Sequence, residues 1–282
     1  MMLQQPYFAV LITKALLFKT GLFVTRGTGG YMYLVFDTHA EVARHVAQQT
    51  LKRLQKKPSL TLGLATGSTM EPIYAELLGL IAQHQLDLAH ITTFNLDEYV
   101  GLSKSHPQSY YHYMCRHFFS QLNVPQERIH LPNGKAQDLA AECQRFNALC
   151  RQHSTDYQLL GVGTNGHIGF NEPGTPFDSI THVVELTAQT RLDNSRFFPN
   201  PSDMPQQAIT MGFEEIMQAK EIVLVVTGKH KAEVVANFHH SAITETLPVS
   251  ILKKHPQYTV VLDKAAASLL PVGAATPVAC TA

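Results

Sequence analysis

Short apolar runs alternate with longer amphipathic ones along most of the chain. Residues 33–36, 60–64, 91–96, 157–162, 222–226 and 259–262 are apolar stretches of strand length, and 183–186 and 208–211 read as shorter strands. Between them, residues 39–54, 69–84, 139–152, 213–219 and 229–239 carry helical patterns, and 108–122 is mostly helical. This alternation predicts an α/β fold with a parallel, doubly wound sheet. In such sheets ligands sit at the carboxyl ends of the strands. The chain's unusual loops follow predicted strands, so they are expected to share one crevice.

Residues 1–31 break the pattern. Residues 8–24 are apolar but interrupted by Lys14, Lys19 and Gly21, and Arg26-Gly27-Thr28-Gly29-Gly30 follows. A secretory leader carries its positive charge before the apolar segment, not inside it. The expectation is an N-terminal extension over 1–31 outside the core, a folded domain over 32–270, and a disordered tail over 271–282.

Composition narrows the function. The 282 residues, 45% hydrophobic and 16% charged, suit one large domain. A formal net charge of zero provides no field to attract nucleic acid or an anionic membrane. No apolar run approaches the roughly 20 residues of a spanning helix. Cys115, Cys143, Cys150 and Cys280 form no paired motif and read as free thiols of a cytoplasmic protein. The fifteen histidines show no metal-ligand spacing, so no metal is expected.

Four stretches carry candidate chemistry. In Gly63-Leu64-Ala65-Thr66-Gly67-Ser68-Thr69-Met70-Glu71-Pro72, a strand ends and a helix begins after small hydroxyl residues. That is either an anion site of amides and the Thr66, Ser68 and Thr69 hydroxyls, or an ordinary N-cap by Ser68 or Thr69. In Phe94-Asn95-Leu96-Asp97-Glu98-Tyr99, two adjacent carboxylates follow an apolar strand: one is a candidate general base, and the alternative is a pair of solvated loop acids. Residues 159–174 contain Gly161-x-Gly163-x-x-Gly166, which matches the dinucleotide fingerprint letter for letter. The fingerprint requires a helix after its third glycine, and Gly169, Pro173, Gly174 and Pro176 forbid one here. What remains is a rigid loop presenting Asn165, His167 and Glu172, or a turn whose glycines serve the backbone alone. Basic residues form the fourth group: Arg191, Arg196, Lys229 and Lys231 are either anion ligands or surface charges.

Taken together, the segments LGLATGST, FNLDEYVGL, HPQSYY, GVGTNGHIGFNEPG, TRLDNSRFF and VTGKHKA closely resemble the glucosamine-6-phosphate deaminase family, in family order over residues 32–270. The resemblance implies a single Rossmann-like domain with a mostly parallel central sheet flanked by helices. It also implies conversion of glucosamine 6-phosphate and water to fructose 6-phosphate and ammonia without cofactor or metal. Residue by residue, it makes Asp97 the base that moves a proton from C2 to C1, His167 the ring-opening residue and Glu172 its carboxylate partner. Thr66, Gly67, Ser68, Thr69, Arg196 and Lys231 match the contacts to the 6-phosphate. Many members have aspartate where this chain has Asn165, which can orient a neighbour but cannot accept a proton. Allosteric members bind N-acetylglucosamine 6-phosphate through cations that His182-Val183-Val184-Glu185 lacks. The expectation is therefore a monomer or small homo-oligomer without that activation. Two other classes compete: a 6-phosphogluconolactonase-like hydrolase, which needs no C2 base, and a non-catalytic sugar-phosphate sensor, which need not retain Asp97, His167 and Glu172 together.

Overall fold

Strands that bury every side chain lie at the centre of the molecule. The computed structural model describes residues 23–26, 32–196, 198–271 and 276–277. β3 (Thr61–Leu64), β4 (Thr92–Asn95), β7 (Tyr157–Leu160) and β10 (Ile222–Val226) are buried throughout, as strands covered on both faces must be. They run parallel to β2 (Met32–Phe36), β11 (Tyr258–Asp263) and the short β6 (Ile129–His130), in the order β2-β11-β10-β7-β3-β4-β6.

Helices separate these strands along the chain: α1 (His39–Lys56), α2 (Glu71–Gln83), α3 (Tyr110–His117), α4 (Leu139–Gln152), α6 (Phe213–Met217) and α7 (Ala232–His240). α1 starts where a capping box allows it: the Thr38 hydroxyl accepts from Glu41 N at 3.2 Å, and the Glu41 carboxylate accepts from Thr38 N at 3.1 Å. Its buried stripe of Val42, Val46, Ala47, Leu51 and Leu54 has helical spacing. The predicted strands and helices match these elements, with ends shifted by a few residues. Residues 229–231 form a 3-10 turn ahead of α7, and the mostly helical region at 108–122 resolves into α3 and a 3-10 turn at Phe119–Gln121.

The strand order places the switch point of the fold between β3 and β7. From β3 the chain proceeds outward through β4 to β6; β7 then lies on the other side of β3 and leads through β10 and β11 toward β2. Loops leaving β3 and β7 therefore open into the crevice where open α/β sheets take ligands.

Two features go beyond the sequence expectation. β5 (Asp97–Tyr99), β9 (Gln207–Thr210) and β8 (His182–Glu185) form a second, antiparallel sheet in the order β5-β9-β8, with Asp97 opposite Thr210. This small sheet and α5 (Ala188–Ser195) accompany a separate apolar cluster of Tyr99, Phe170, Leu186, Phe198, Met204 and Ala208. In addition, β1 (Phe23–Arg26) pairs antiparallel with β2 and carries β12 (Thr276–Pro277) on its other edge. Four residues of the expected extension and two of the expected tail thus continue the sheet; residues 1–22, 27–31, 272–275 and 278–282 lie outside the described residues.

Glu215 joins the two layers. It is buried and accepts from Gly212 N at 3.1 Å, Thr181 N at 2.8 Å, the Thr181 hydroxyl at 2.9 Å and the Asn147 side-chain amide. Replacing it leaves those donors buried without an acceptor. Glu215→Ala is expected to destabilise the protein by about 3–5 kcal/mol, since each buried donor left without an acceptor costs roughly 1–3 kcal/mol. Thermal denaturation should then fall by roughly 6–20 °C, at the ~2–4 °C per kcal/mol typical of this chain size. A melting point within about 2 °C of wild type would show that Glu215 does not join the layers.

Candidate active site

The loop after β3 closes in a tight bend, Met70 N donating to Gly67 O at 2.9 Å. Gly67 adopts φ +108°, which favours glycine, and Met70, not Ser68 or Thr69, occupies the N-cap of α2 without a side-chain cap. The ordinary N-cap alternative therefore does not hold. The turn is braced from outside: Tyr74 Oη donates to Ala65 O at 2.5 Å, Tyr113 Oη to Gly67 O at 2.9 Å, and His39 Nε2 lies 3.3 Å from Thr69 O. The hydroxyls of Thr69 and of Thr227, at the end of β10, are 3.3 Å apart, so two strand ends meet here.

Asp97 and Glu98 are both buried, which removes the solvated-acid alternative, and they have opposite surroundings. Side chains alternate along a strand, so neighbours in β5 face opposite ways. The Glu98 carboxylate accepts from the amides of Tyr99 and Tyr110 at 2.9 Å and of Tyr111 at 3.0 Å, holding the start of α3. Burial pushes its pKa up to about 7, against the pull of those amides. Asp97 is 7% exposed, and no group among the described residues donates a hydrogen bond to it. Burial first, and then the charge of Glu98, pushes its carboxyl up to about 8.

The loop after β7 presses against this acid. Gly169 has φ +59°, and a Cβ there would lie 3.2 Å from Asp97 Oδ2 and 2.8 Å from the Thr210 hydroxyl. Phe170 N donates to that same hydroxyl at 3.1 Å. At Gly163 a Cβ would overlap the imidazole of His167, 2.2 Å from its Cε1, so only glycine lets the ring lie there. No helix follows Gly166, as the prolines and glycines predict.

His167 Nδ1 is 3.6 Å from Glu172 Oε2, an ion-pair separation that is longer than a hydrogen bond. Asn165 braces both residues: its Nδ2 donates to Glu172 Oε2 at 2.6 Å, and its Oδ1 accepts from His167 N at 3.1 Å. The other Glu172 oxygen, Oε1, accepts from the Thr190 hydroxyl, with the Thr187 hydroxyl at 3.4 Å. Burial opposes ionisation of Glu172, but His167, Thr190 and Asn165 outweigh it and hold the pKa at about 2. Thr190 opens the TRLDNSRFF segment, but nothing in the sequence gave it or Thr187 a role beyond the N-cap pattern Thr187-x-x-Thr190 before a helix.

The cations converge from two elements. Lys231 Nζ donates to Val162 O at 2.8 Å, bridging the ends of β10 and β7. Arg196 is exposed at the C-terminus of α5. Both lie near His230, whose pKa is lowered first by burial and then by Lys231 and Arg196. Among the described residues, no three His, Cys, Asp or Glu side chains gather around a point where a metal would sit, and no helix is long and apolar enough to cross a membrane. Cys115, Cys143 and Cys150 are unpaired, and Cys280 lies outside the described residues.

Residues 37–261 match the family described as glucosamine-6-phosphate isomerases/6-phosphogluconolactonase. A glucosamine-6-phosphate deaminase of Shouchella clausii is 49% identical over 232 residues, covering 82% of this chain and 94% of that protein. The solved structure of a monomeric glucosamine-6-phosphate deaminase superposes with a TM-score of 0.82 at 45% identity, covering 84% of this chain and 99% of the other. A 6-phosphogluconolactonase from Thermotoga maritima shares the fold at a TM-score of 0.64 and 19% identity, covering 82% of this chain and 97% of the other. The chain belongs to the glucosamine-6-phosphate isomerase/6-phosphogluconolactonase family.

Proposed function

We propose that this chain is a glucosamine-6-phosphate deaminase, an enzyme that converts glucosamine 6-phosphate and water to fructose 6-phosphate and ammonia. The observation that carries the reading is Asp97, a buried carboxylate without a hydrogen-bond donor among the described residues, set against Gly169 of the loop that presents His167 and Glu172. Lactone hydrolysis requires no such base.

The 6-phosphate enters the turn of Thr66, Gly67, Ser68 and Thr69, with Arg196 and Lys231 as its cations. Anchoring the far end of the sugar sets C1 and C2 against the acid and base groups. His167, paired with Glu172, moves the proton that opens the pyranose ring to the aldehyde. Asp97 then takes the C2 proton, giving an enolamine, and returns it to C1. Water adds to the resulting C2 iminium, and ammonia leaves to give the ketose. Asn165 supplies no proton; its amide orients Glu172 while its carbonyl accepts from His167 N. We place the enzyme in the cytoplasm as a monomer or small homo-oligomer, a reading supported by its similarity to a monomeric deaminase.

Release of ammonia and fructose 6-phosphate from glucosamine 6-phosphate tests the reaction directly. Asp97→Asn is expected to lower kcat by roughly 10²–10⁴-fold, the usual worth of a proton-transfer group, while substrate still binds. Wild-type protein that opens 6-phosphogluconolactone but releases no ammonia would make it a lactonase. Binding of sugar phosphate without turnover would make it a sensor.

The base works only when ionised, and in the free protein Asp97 holds its proton up to about pH 8. The value of kcat/KM, corrected for titration of the substrate amine, should therefore rise as pH increases through about 8. A bound substrate ammonium favours the carboxylate, so the corresponding limb of kcat should lie at lower pH. A flat corrected kcat/KM between pH 6 and 9 would remove Asp97 from the role. N-acetylglucosamine 6-phosphate should leave a hyperbolic rate curve unchanged; conversion of a sigmoidal curve to a hyperbolic one by that ligand would show an allosteric site.

A further inference from the structure

We propose that Thr190 is a positioning residue for the ring-opening pair, its hydroxyl holding Glu172 Oε1 so that Oε2 faces His167. The inference rests on the function proposed above and adds to it the element that keeps the pair aligned.

The two oxygens of Glu172 are held from opposite sides. Oε2 receives the Asn165 amide at 2.6 Å and faces His167 Nδ1 at 3.6 Å. Oε1 receives the Thr190 hydroxyl. A carboxylate bound through one oxygen alone can swing about its last torsion, because that torsion is broad. Binding through both oxygens fixes the plane and hence the direction in which Oε2 points. Thr190 is 4% exposed and Glu172 6%, so water does not readily replace the lost donor.

Thr190 is itself held in place. The Thr187 side chain caps α5 by accepting from Thr190 N at 3.2 Å, and its hydroxyl lies 3.0 Å from the Thr190 hydroxyl. The two hydroxyls then form a chain, Thr187 to Thr190 to Glu172, in which each donor polarises the next. The rotamer of Thr190 is thus set by the cap of α5, and the capped helix is what delivers the hydroxyl to Glu172. Hydroxyl donation also favours the ionised carboxylate, consistent with a Glu172 pKa held at about 2 despite burial.

The test compares Thr190→Val, Thr190→Ala and Thr190→Ser in glucosamine 6-phosphate deamination across pH. Valine keeps the shape and removes the hydroxyl; serine keeps the hydroxyl. Thr190→Val and Thr190→Ala are expected to lower kcat about 10–100-fold, as loss of an orienting partner does, with KM changed less than about threefold. The Glu172 carboxyl, followed by NMR in the free protein, should protonate roughly one pH unit higher, while the limb of the rate that reports Asp97 stays in place. Thr190→Ser should retain the rate within about threefold and the wild-type titration of Glu172. Should valine prevent folding, the alanine and serine variants carry the same comparison. Wild-type kcat and an unchanged Glu172 titration in Thr190→Val or Thr190→Ala would overturn the inference alone, and so would a Thr190→Ser variant as impaired as they are. Wild-type protein that releases no ammonia would sink both the inference and the function on which it rests.

Discussion

A carboxylate withdrawn from water must be supplied with hydrogen-bond donors or keep its proton, and this constraint orders the carboxyl end of the sheet. Four of the buried acids show how unequally the fold distributes donors. Glu215 and Glu98 receive backbone amides and join separate elements: α4 to α6 and residue 181 in one case, β5 to the start of α3 in the other. Glu172 receives side-chain donors and is held as an anion beside a histidine. Asp97 receives none among the described residues, and its pKa rises accordingly. The three supplied acids serve architecture and alignment. Burial raises both acids of β5, Glu98 to about 7 and Asp97 to about 8. Glu98 is engaged by three amides, whereas Asp97 has no donor among the described residues and is free to accept a substrate proton, as a general base must be.

Adjacent acids can take such different roles because a strand turns consecutive side chains to opposite sides. Asp97 faces the glycine-rich loop, where Gly169 leaves it room, and Glu98 faces the amides of α3. The three residues of β5 also explain why this site needs the small antiparallel sheet. They are too few to hold their register alone, and pairing with β9 sets Asp97 opposite Thr210, whose hydroxyl also takes the Phe170 amide.

The central strands were legible in the sequence because they are buried on both faces and read as unbroken apolar runs. β5 and β6 were not: three and two residues carry no periodicity, and β5 contains two charges, so its strand character comes from pairing and not from local preference. In the site, Asn165, His167 and Glu172 stood out because a glycine-rich stretch without a following helix needs another explanation. Their roles came from family resemblance, whereas their support came from the structure. Thr190 opens the TRLDNSRFF segment, yet its link to Glu172 could not be read there. Its partner lies 18 residues earlier, across the small sheet, and its own surroundings in sequence are those of an ordinary helix start.

α5 connects these observations. An eight-residue helix is too short to persist alone in water, so its position depends on what its ends touch. Its first turn touches Glu172 through Thr190, and beyond its last turn Phe198 packs on Tyr99 and stacks against His106. Arg196 brings positive charge near Lys231 and His230, a gathering of cations that an anion would relieve. On the proposed reading, the substrate phosphate is that anion. Binding at a group remote from the reacting carbons would then favour the docked position of α5, and with it the alignment of Glu172 against His167. Binding energy from the unreactive end of the sugar would in that way appear as orientation at C1, where ring opening begins.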